Sequence, residues 1–340
     1  MANGVALGSL PFDQYGRHRD ARAVAELIRV REGPVRLAVL DVGGFPGLSA
    51  RFLPADWVVV VDPAIVEAGS EPAAAYLRGS GLALPFQDAS FDLVLSLDSL
   101  EHVPAAARPR YLSELGRVAR RYVLLLAPFA SAETERAEAL LFEYVKLALH
   151  AEHQQLREHR DHGLPDLDAT VAALAASGMA CHAFPSGYLY HWLPLMLLKH
   201  HLLSLDPEAS VHAALDRWYN AREPDADRQL PAYRWGILAS KEGETAVLQA
   251  AREQLVPRPP DPAAELVARQ ELQLVLSVLA LERGNRGPAA LEERLAHQER
   301  QIAALTREVE TLRAHLAAIR RGRVMRLMNA TRHLLGRDDR

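Results

Sequence analysis

The chain has 340 residues and one cysteine, Cys181, so it cannot close an internal disulfide or build a cysteine-rich metal centre. That thiol falls in an expected strand, Met179 to Phe184, where an inert buried group is the default. The amino terminus has no basic segment followed by an apolar core, so no secretory signal is expected. No apolar run reaches the length of a membrane span. The expected compartment is therefore the cytoplasm. Neither sign of charge dominates. The 39 Lys and Arg against 43 Asp and Glu leave a formal net charge of −4, which by itself argues neither for nor against nucleic acid, and no nucleic-acid partner is expected. Hydrophobic and charged fractions of 49% and 24% are ordinary for a globular protein, and this length allows one large domain or two.

The most informative stretch is 37–62. An apolar run, Leu37 to Leu40, ends at Asp41 and a turn holding Gly43, Gly44 and Gly47. A second run, Trp57 to Val61, ends in a lone acid, Asp62. Continuous apolar runs of this kind suit parallel strands buried on both faces. Glycines let a backbone turn tightly and approach a ligand closely. An acid at the tip of the next strand, about 20 residues beyond such a turn, suits the hydroxyl pair of a ribose. The turn reads Asp41-x-Gly43-x-Phe45-x-Gly47 rather than G-x-G-x-x-G, and its leading Asp41 suits an ammonium group better than a phosphate.

That pattern resembles motif I of class I S-adenosylmethionine-dependent methyltransferases of the type 11 kind. The resemblance continues through Leu-Pro-Phe-Gln-Asp-Ala-Ser-Phe-Asp-Leu-Val-Leu-Ser-Leu-Asp-Ser-Leu-Glu-His-Val (84–103), similar to the family's fourth strand and its flanks. It extends to Arg-Tyr-Val-Leu-Leu-Leu-Ala-Pro (121–128), similar to its fifth strand. It covers 10–130 closely and 165–240 more loosely. It implies an α/β fold: a Rossmann-like, doubly wound, mostly parallel seven-stranded sheet. It implies S-adenosyl-L-methionine as cofactor, with Asp41, Gly43, Gly44 and Gly47 around the amino-acid end and Asp62 and Pro63 at the ribose. Ser80, Gly81 and Leu82 would meet the adenine, and Ser96 and Leu97 are further candidate cofactor contacts. Two residues depart from the family pattern: Phe45 stands where glycine is usual, and Ser80 where many members carry an Asp.

Methyl transfer from a sulfonium requires alignment and exclusion of water, and a general base where the acceptor must lose a proton. His102, in Ser99-Leu-Glu-His-Val after the fourth strand, is the candidate base; packing beside the sulfonium or capping the next helix is the bland alternative. Glu101 and Asp98 share its loop and are candidates to orient acceptor or cofactor. Tyr15 is a candidate cofactor contact or a packing aromatic. His150 and His153, and His159 and His162, pair at helical spacing that, with Asp161 or Glu152, suits a metal. The family resemblance implies none, so no metal is expected, and His153 or His159 reads instead as an acceptor contact.

Alternating strands and helices are the signature of a parallel α/β sheet. Strands are expected at 37–41, 57–61, near 82–84, 91–97, 121–127, 179–184 and 233–240. Helices are expected at 18–31, 104–119, 131–160 and 167–177. The catalytic domain is expected to span 1–256, with a helical insertion at about 187–232 acting as a lid or packing layer. A Pro-rich linker follows at 257–262, then a helix at 263–286. From Leu291 to Ile319 apolar residues recur at alternating spacings of four and three, a heptad seam that predicts a coiled coil over 289–320 and a homo-oligomer. A basic amphipathic tail, 321–340, suits anionic lipid at the inner membrane face or a solvated end equally. A coiled coil ending in such a tail resembles enzymes of bacterial surface-polysaccharide pathways. The resulting reading is a methyltransferase expected to methylate oxygen on a small-molecule or glycan acceptor. The alternative is a non-catalytic cofactor-binding scaffold assembled through the coil.

Overall fold

The computed structural model describes residues 7–33, 35–66, 71–205, 210–221 and 227–258, together with 300, 303 and 307. The chain divides into two units, Met1–Pro260 and Asp261–Arg340. The expected helix at 263–286 and the tail at 321–340 lie outside the described residues, as do nearly all of the coiled-coil segment 289–320 and most of the linker 257–262.

Seven strands are joined in the order β3-β2-β1-β4-β5-β7-β6. They are β1 (Ala38–Val42), β2 (Trp57–Asp62), β3 (Ala74–Arg78), β4 (Phe91–Leu97), β5 (Ala119–Pro128), β6 (Ala180–Tyr188) and β7 (Ala232–Ser240). The first five pair in parallel, and β7 runs antiparallel between β5 and β6. This is the expected doubly wound, mostly parallel Rossmann-like sheet. Strand order reverses between β1 and β4, and ligands of open α/β sheets bind beyond the carboxyl ends at such a point.

Successive side chains of each strand face opposite sides, so one apolar run serves two cores. Val39, Leu93, Leu95, Leu124 and Leu126 are buried with α1 (Phe12–Glu32) and α9 (Ala246–Gln254). Leu40, Val94, Val123 and Leu125 are buried with α3 (Arg108–Val118). Each such side chain, fully removed from water, contributes about 1.5–3 kcal/mol.

Two expected elements fall elsewhere. The strand looked for near 82–84 is only an isolated bridge between Ser80 and Ala83, and the sheet's edge is formed by Ala74–Arg78. An edge strand is half solvated, so it lacks the apolar run that flags its buried neighbours; here only a partly exposed pattern is seen. The long helix looked for over 131–160 is two helices, α4 (Ala132–Ala148) and α5 (Gln154–His162). His150, with φ of 51°, takes the left-handed conformation between them. The His153 ring then caps α5 by accepting from the Leu156 amide at 3.3 Å. No glycine or proline announces this break.

The insertion forms α7 (Leu189–Leu205) and α8 (Ser210–Asn220). Leu189, Trp192, Leu195, Leu198 and Leu202 are buried, so the apolar run there packs inward. Among the described residues no helix is long and apolar enough to cross a membrane. Cys181 lies on β6 half-buried, and burial pushes its thiol up to about 11, which fits an inert group.

Candidate functional site

The carboxyl ends of β1, β2 and β4 open onto a cavity of about 750 Å³. Its walls include Gly43, Phe45 and Asp62 on one side, and Glu101, His102, Glu158, His159 and His200 on the other. Between them stand Arg17, Asp98 and Arg234.

The first side is built by the glycine turn. The Gly43 amide donates to Val61 O at 2.7 Å, tying the end of β1 to β2. Gly43 has φ of 80°, and a Cβ there would fall 2.3 Å from Ser99 Oγ. A Cβ at Gly44 would fall 2.1 Å from Asp41 Oδ2, so only glycine lets the turn fold down over that carboxylate. Gly47 abuts the Tyr76 hydroxyl, which donates to the carbonyls of Pro46 and Glu71.

Asp41 is fully buried, and neither carboxylate oxygen has a hydrogen-bond partner among the described residues. Burial raises its pKa from 3.8 to about 6; the neighbouring Ser49 hydroxyl opposes this without reaching hydrogen-bond geometry. A hollow of about 30 Å³ lined by Asp41, Arg17, Gly43 and Gly44 adjoins it, room for a group of water's size. Asp62 caps its own loop, accepting from Ala64 N at 2.7 Å and Phe45 N at 3.4 Å, and lines the cavity.

Between the two sides, Asp98 is clamped by two arginines. Arg17 Nη1 donates to Asp98 Oδ2 at 2.6 Å. Arg234 donates from Nε at 2.6 Å and from Nη2 at 2.6 Å. Although burial opposes it, the two guanidiniums hold the Asp98 carboxyl far below the usual carboxylate range.

The second side is an acid–imidazole network. His102 Nδ1 lies 2.8 Å from Glu158 Oε2. His159 Nδ1 lies 2.9 Å from Glu138 Oε1, which also accepts from the Tyr233 hydroxyl at 2.9 Å. Burial, followed by the neighbouring His159, lowers the His102 pKa, so its ring is neutral at pH 7. Burial and His153 lower His200 to about 4. Trp192 of the insertion stacks on Tyr233 at 3.5 Å and completes the wall.

Residues 40–126 match the methyltransferase domain family. An uncharacterized methyltransferase of Mycobacterium sp. (strain KMS) is 39% identical over 28% of this chain and 42% of its own length. Another, of Mycolicibacterium paratuberculosis (strain ATCC BAA-968 / K-10), is 34% identical over 43% of this chain and 64% of its own. The chain thus spans 42% of the length of the first of these relatives. Among solved structures, the magnesium protoporphyrin IX methyltransferase of Synechocystis, with bound SAH, shares 12% identity at a TM-score of 0.40, over 67% of this chain and 85% of that one. The matched segment runs from β1 to β5 and carries Asp41, the glycine turn, Asp62, Glu101 and His102.

The residues fit the expected cofactor. An unpartnered, buried carboxylate under a glycine turn suits an ammonium, and Arg17, whose Nε is also unpartnered, suits the adjoining carboxylate. Gly43, Asp62, Leu97 and His102 line the large cavity, and Gly44 lines the smaller hollow with Asp41. Pro63 is exposed beside Ala64, which lines the cavity. Ser80, Gly81 and Leu82 do not line it. The Ser80 hydroxyl accepts from the Leu82 amide at 3.2 Å, and a Cβ at Gly81 would meet the Tyr111 ring. Ser96 is fully buried and its hydroxyl pairs with the Tyr111 hydroxyl at 2.9 Å. Tyr15 packs edge-on against Phe52, with ring centroids 5.5 Å apart, and does not line the cavity. Of the four histidines noted in sequence, His153 and His159 line the cavity, whereas His150 and His162 do not.

Arg17, Arg234, Glu138 and Glu158 escaped the sequence reading. Arg234 alone left a signal, a single cation inside the apolar run of β7.

Proposed function

We propose that this chain is an S-adenosylmethionine-dependent methyltransferase acting on a hydroxyl of a small molecule or glycan. The observation that carries the reading is the buried, unpartnered Asp41 carboxylate under the glycine turn, beside a cavity whose opposite wall presents a neutral imidazole. The cofactor, when bound, supplies an electrophilic methyl group. Asp41 and Arg17 hold its amino-acid end, and Asp62 accepts from the ribose hydroxyls. His102, with Nδ1 engaged by Glu158, turns Nε2 to the acceptor and takes its proton. Glu152, Gln154 and Gln155 give the mouth polar walls, which suits a hydroxylated acceptor. Residues 289–320 assemble the protein as a homo-oligomer, a reading supported by their heptad seam.

The test is calorimetry with S-adenosylmethionine on the wild type and Asp62→Ala, followed by transfer of labelled methyl to a panel of sugars and phenols. Losing the charge-assisted bonds of Asp62 weakens binding by roughly 1.5–3 kcal/mol. No binding by the wild type, or equal binding by both proteins, refutes the cofactor site; binding without transfer to any hydroxyl refutes the acceptor class.

A further inference from the structure

The second wall of the cavity holds three ligand-type groups that methyl transfer alone does not require. Glu101, His102 and His159 each direct one ligand atom into a space where all three atoms lie within 4.8 Å of one another. Glu101 and His102 sit on the short helical turn Leu100–His102 after β4, and His159 comes from α5, so the two elements meet at this point.

Two observations go beyond proximity. Glu101 is 1% exposed and its Oε2 has no hydrogen-bond partner among the described residues; His159 is 6% exposed and its Nε2 has none either. Buried polar atoms are normally satisfied, and a missing ion is one recognised reason for an exception. The second is the outer layer. Glu138 is an acceptor to both the Tyr233 hydroxyl and His159 Nδ1, so Nε2 is the His159 nitrogen left to face a ligand. Glu158 holds His102 in the same way through Nδ1 at 2.8 Å, and Gln154 donates to the other Glu158 oxygen at 2.9 Å. A carboxylate behind each imidazole, setting the tautomer and raising basicity, is how histidines that ligate metals are held.

We propose that Glu101, His102 Nε2 and His159 Nε2 form a binding site for one divalent transition-metal ion of the zinc class. Two imidazoles and one carboxylate leave positions open toward the cavity, as a site that also binds a substrate oxygen requires. Zinc–nitrogen bonds of about 2.0–2.1 Å draw tetrahedral ligand atoms closer than 4.8 Å, so small side-chain rotations close the site on binding. Hard ions such as magnesium prefer all-oxygen shells and are disfavoured here. The site rests on this cavity wall and not on cofactor binding. It revises the reading above in one respect: with the ion bound, His102 would be a ligand rather than the base, and the ion would acidify the acceptor hydroxyl, whose proton would pass to solvent.

The probe is Zn²⁺ alone, titrated calorimetrically into the untagged full chain after chelator treatment, with Co²⁺ absorption as a second readout. One equivalent should bind, and Co²⁺ should give the visible bands of a four- or five-coordinate nitrogen–oxygen site. His159→Ala and Glu101→Gln should each weaken Zn²⁺ at least tenfold, while His182→Ala, at a histidine of β6 outside the cavity, should not. Glu101→Gln keeps the shape of the buried side chain, and S-adenosylmethionine binding by each variant reports an intact fold. Zinc binding that is absent, or lost equally in His182→Ala, or unchanged in His159→Ala and Glu101→Gln, overturns the site. Zinc binding without methyl transfer leaves the site standing and counts against the enzymatic reading alone.

Discussion

Asp41→Asn separates the stability of this protein from its proposed function. Burial holds the Asp41 pKa at about 6 against an ordinary 3.8. The native state therefore binds a proton more tightly than the unfolded chain does. The sign follows: between about pH 4 and pH 6 the folded protein holds the extra proton, so stability falls as pH rises through that window. Above it the full cost of a buried charge is present, about 3 kcal/mol for the rise from 3.8 to about 6. Asparagine has nearly the same shape and no charge. Asp41→Asn should therefore stabilise the cofactor-free protein at pH 7 by up to about 3 kcal/mol and remove its share of the decline between pH 4 and 6.

The cofactor reverses the sign of the substitution. An ammonium beside Asp41 favours the ionised carboxylate, so binding by the wild type should release a proton near pH 6 and tighten as pH rises through it. Asp41→Asn loses that charge-assisted interaction, worth roughly 1.5–3 kcal/mol, and should bind roughly ten- to hundredfold more weakly at pH 7. Urea unfolding of both proteins at pH 4.5 to 7.5, with and without S-adenosylmethionine, measures both effects. Calorimetry in buffers of different ionisation enthalpy counts the proton. An Asp41→Asn protein that is less stable than wild type at pH 7 without cofactor would show that the carboxylate is satisfied, and the argument for the ammonium site would fail.

Three further outcomes are expected. His102→Ala should slow single-turnover methyl transfer by about 10²–10⁴-fold at saturating cofactor with little change in cofactor affinity; an unchanged rate would make the residue structural. Arg234→Met removes the stronger of the two clamps on the buried Asp98 and should cost about 3 kcal/mol in urea unfolding, whereas a loss under 1 kcal/mol would mean that Arg17 alone neutralises it. By sedimentation at micromolar concentration, the full chain should be oligomeric, and a chain ending at Val256 monomeric and still able to bind cofactor; a full-length monomer would refute assembly through 289–320.

The parallel core was legible because burial on both faces leaves a continuous apolar run, which is why β1, β2, β4 and β5 fall within a few residues of their expected places. What was not legible depends on partners remote in the chain. β3 is an edge strand with only a half-exposed pattern, and α9 covers a face that only the folded sheet defines. The break between α4 and α5 rests on a left-handed histidine and an imidazole cap, neither of which is a strong local signal. The Arg234–Asp98 pair spans 136 positions, so no spacing rule reaches it.

The two halves of the site differ for the same reason. The cofactor side is local: Asp41, the glycine turn and Asp62 lie within one strand–turn–strand unit, so their spacing carries the chemistry. The acceptor side is assembled from the turn after β4, from α4 and α5, from α7 and from the start of β7. Asp98, Glu101 and His102 were visible there because the carboxyl edge of a strand is where ligands meet an open sheet, and His153 and His159 as histidines at helical spacing, but not how these groups come together. The neighbours of His102, Glu138, Glu158 and His159, reach it only because the chain turns back at His150. Had 131–160 formed one straight helix, a rise of 1.5 Å per residue would carry residue 159 about 30 Å from Glu138. Glu138 and His159 could not then share a hydrogen bond. The chemistry on this side therefore depends on the short loop at 149–153, and a change there should disturb acceptor handling while leaving the Asp41 and Asp62 side intact.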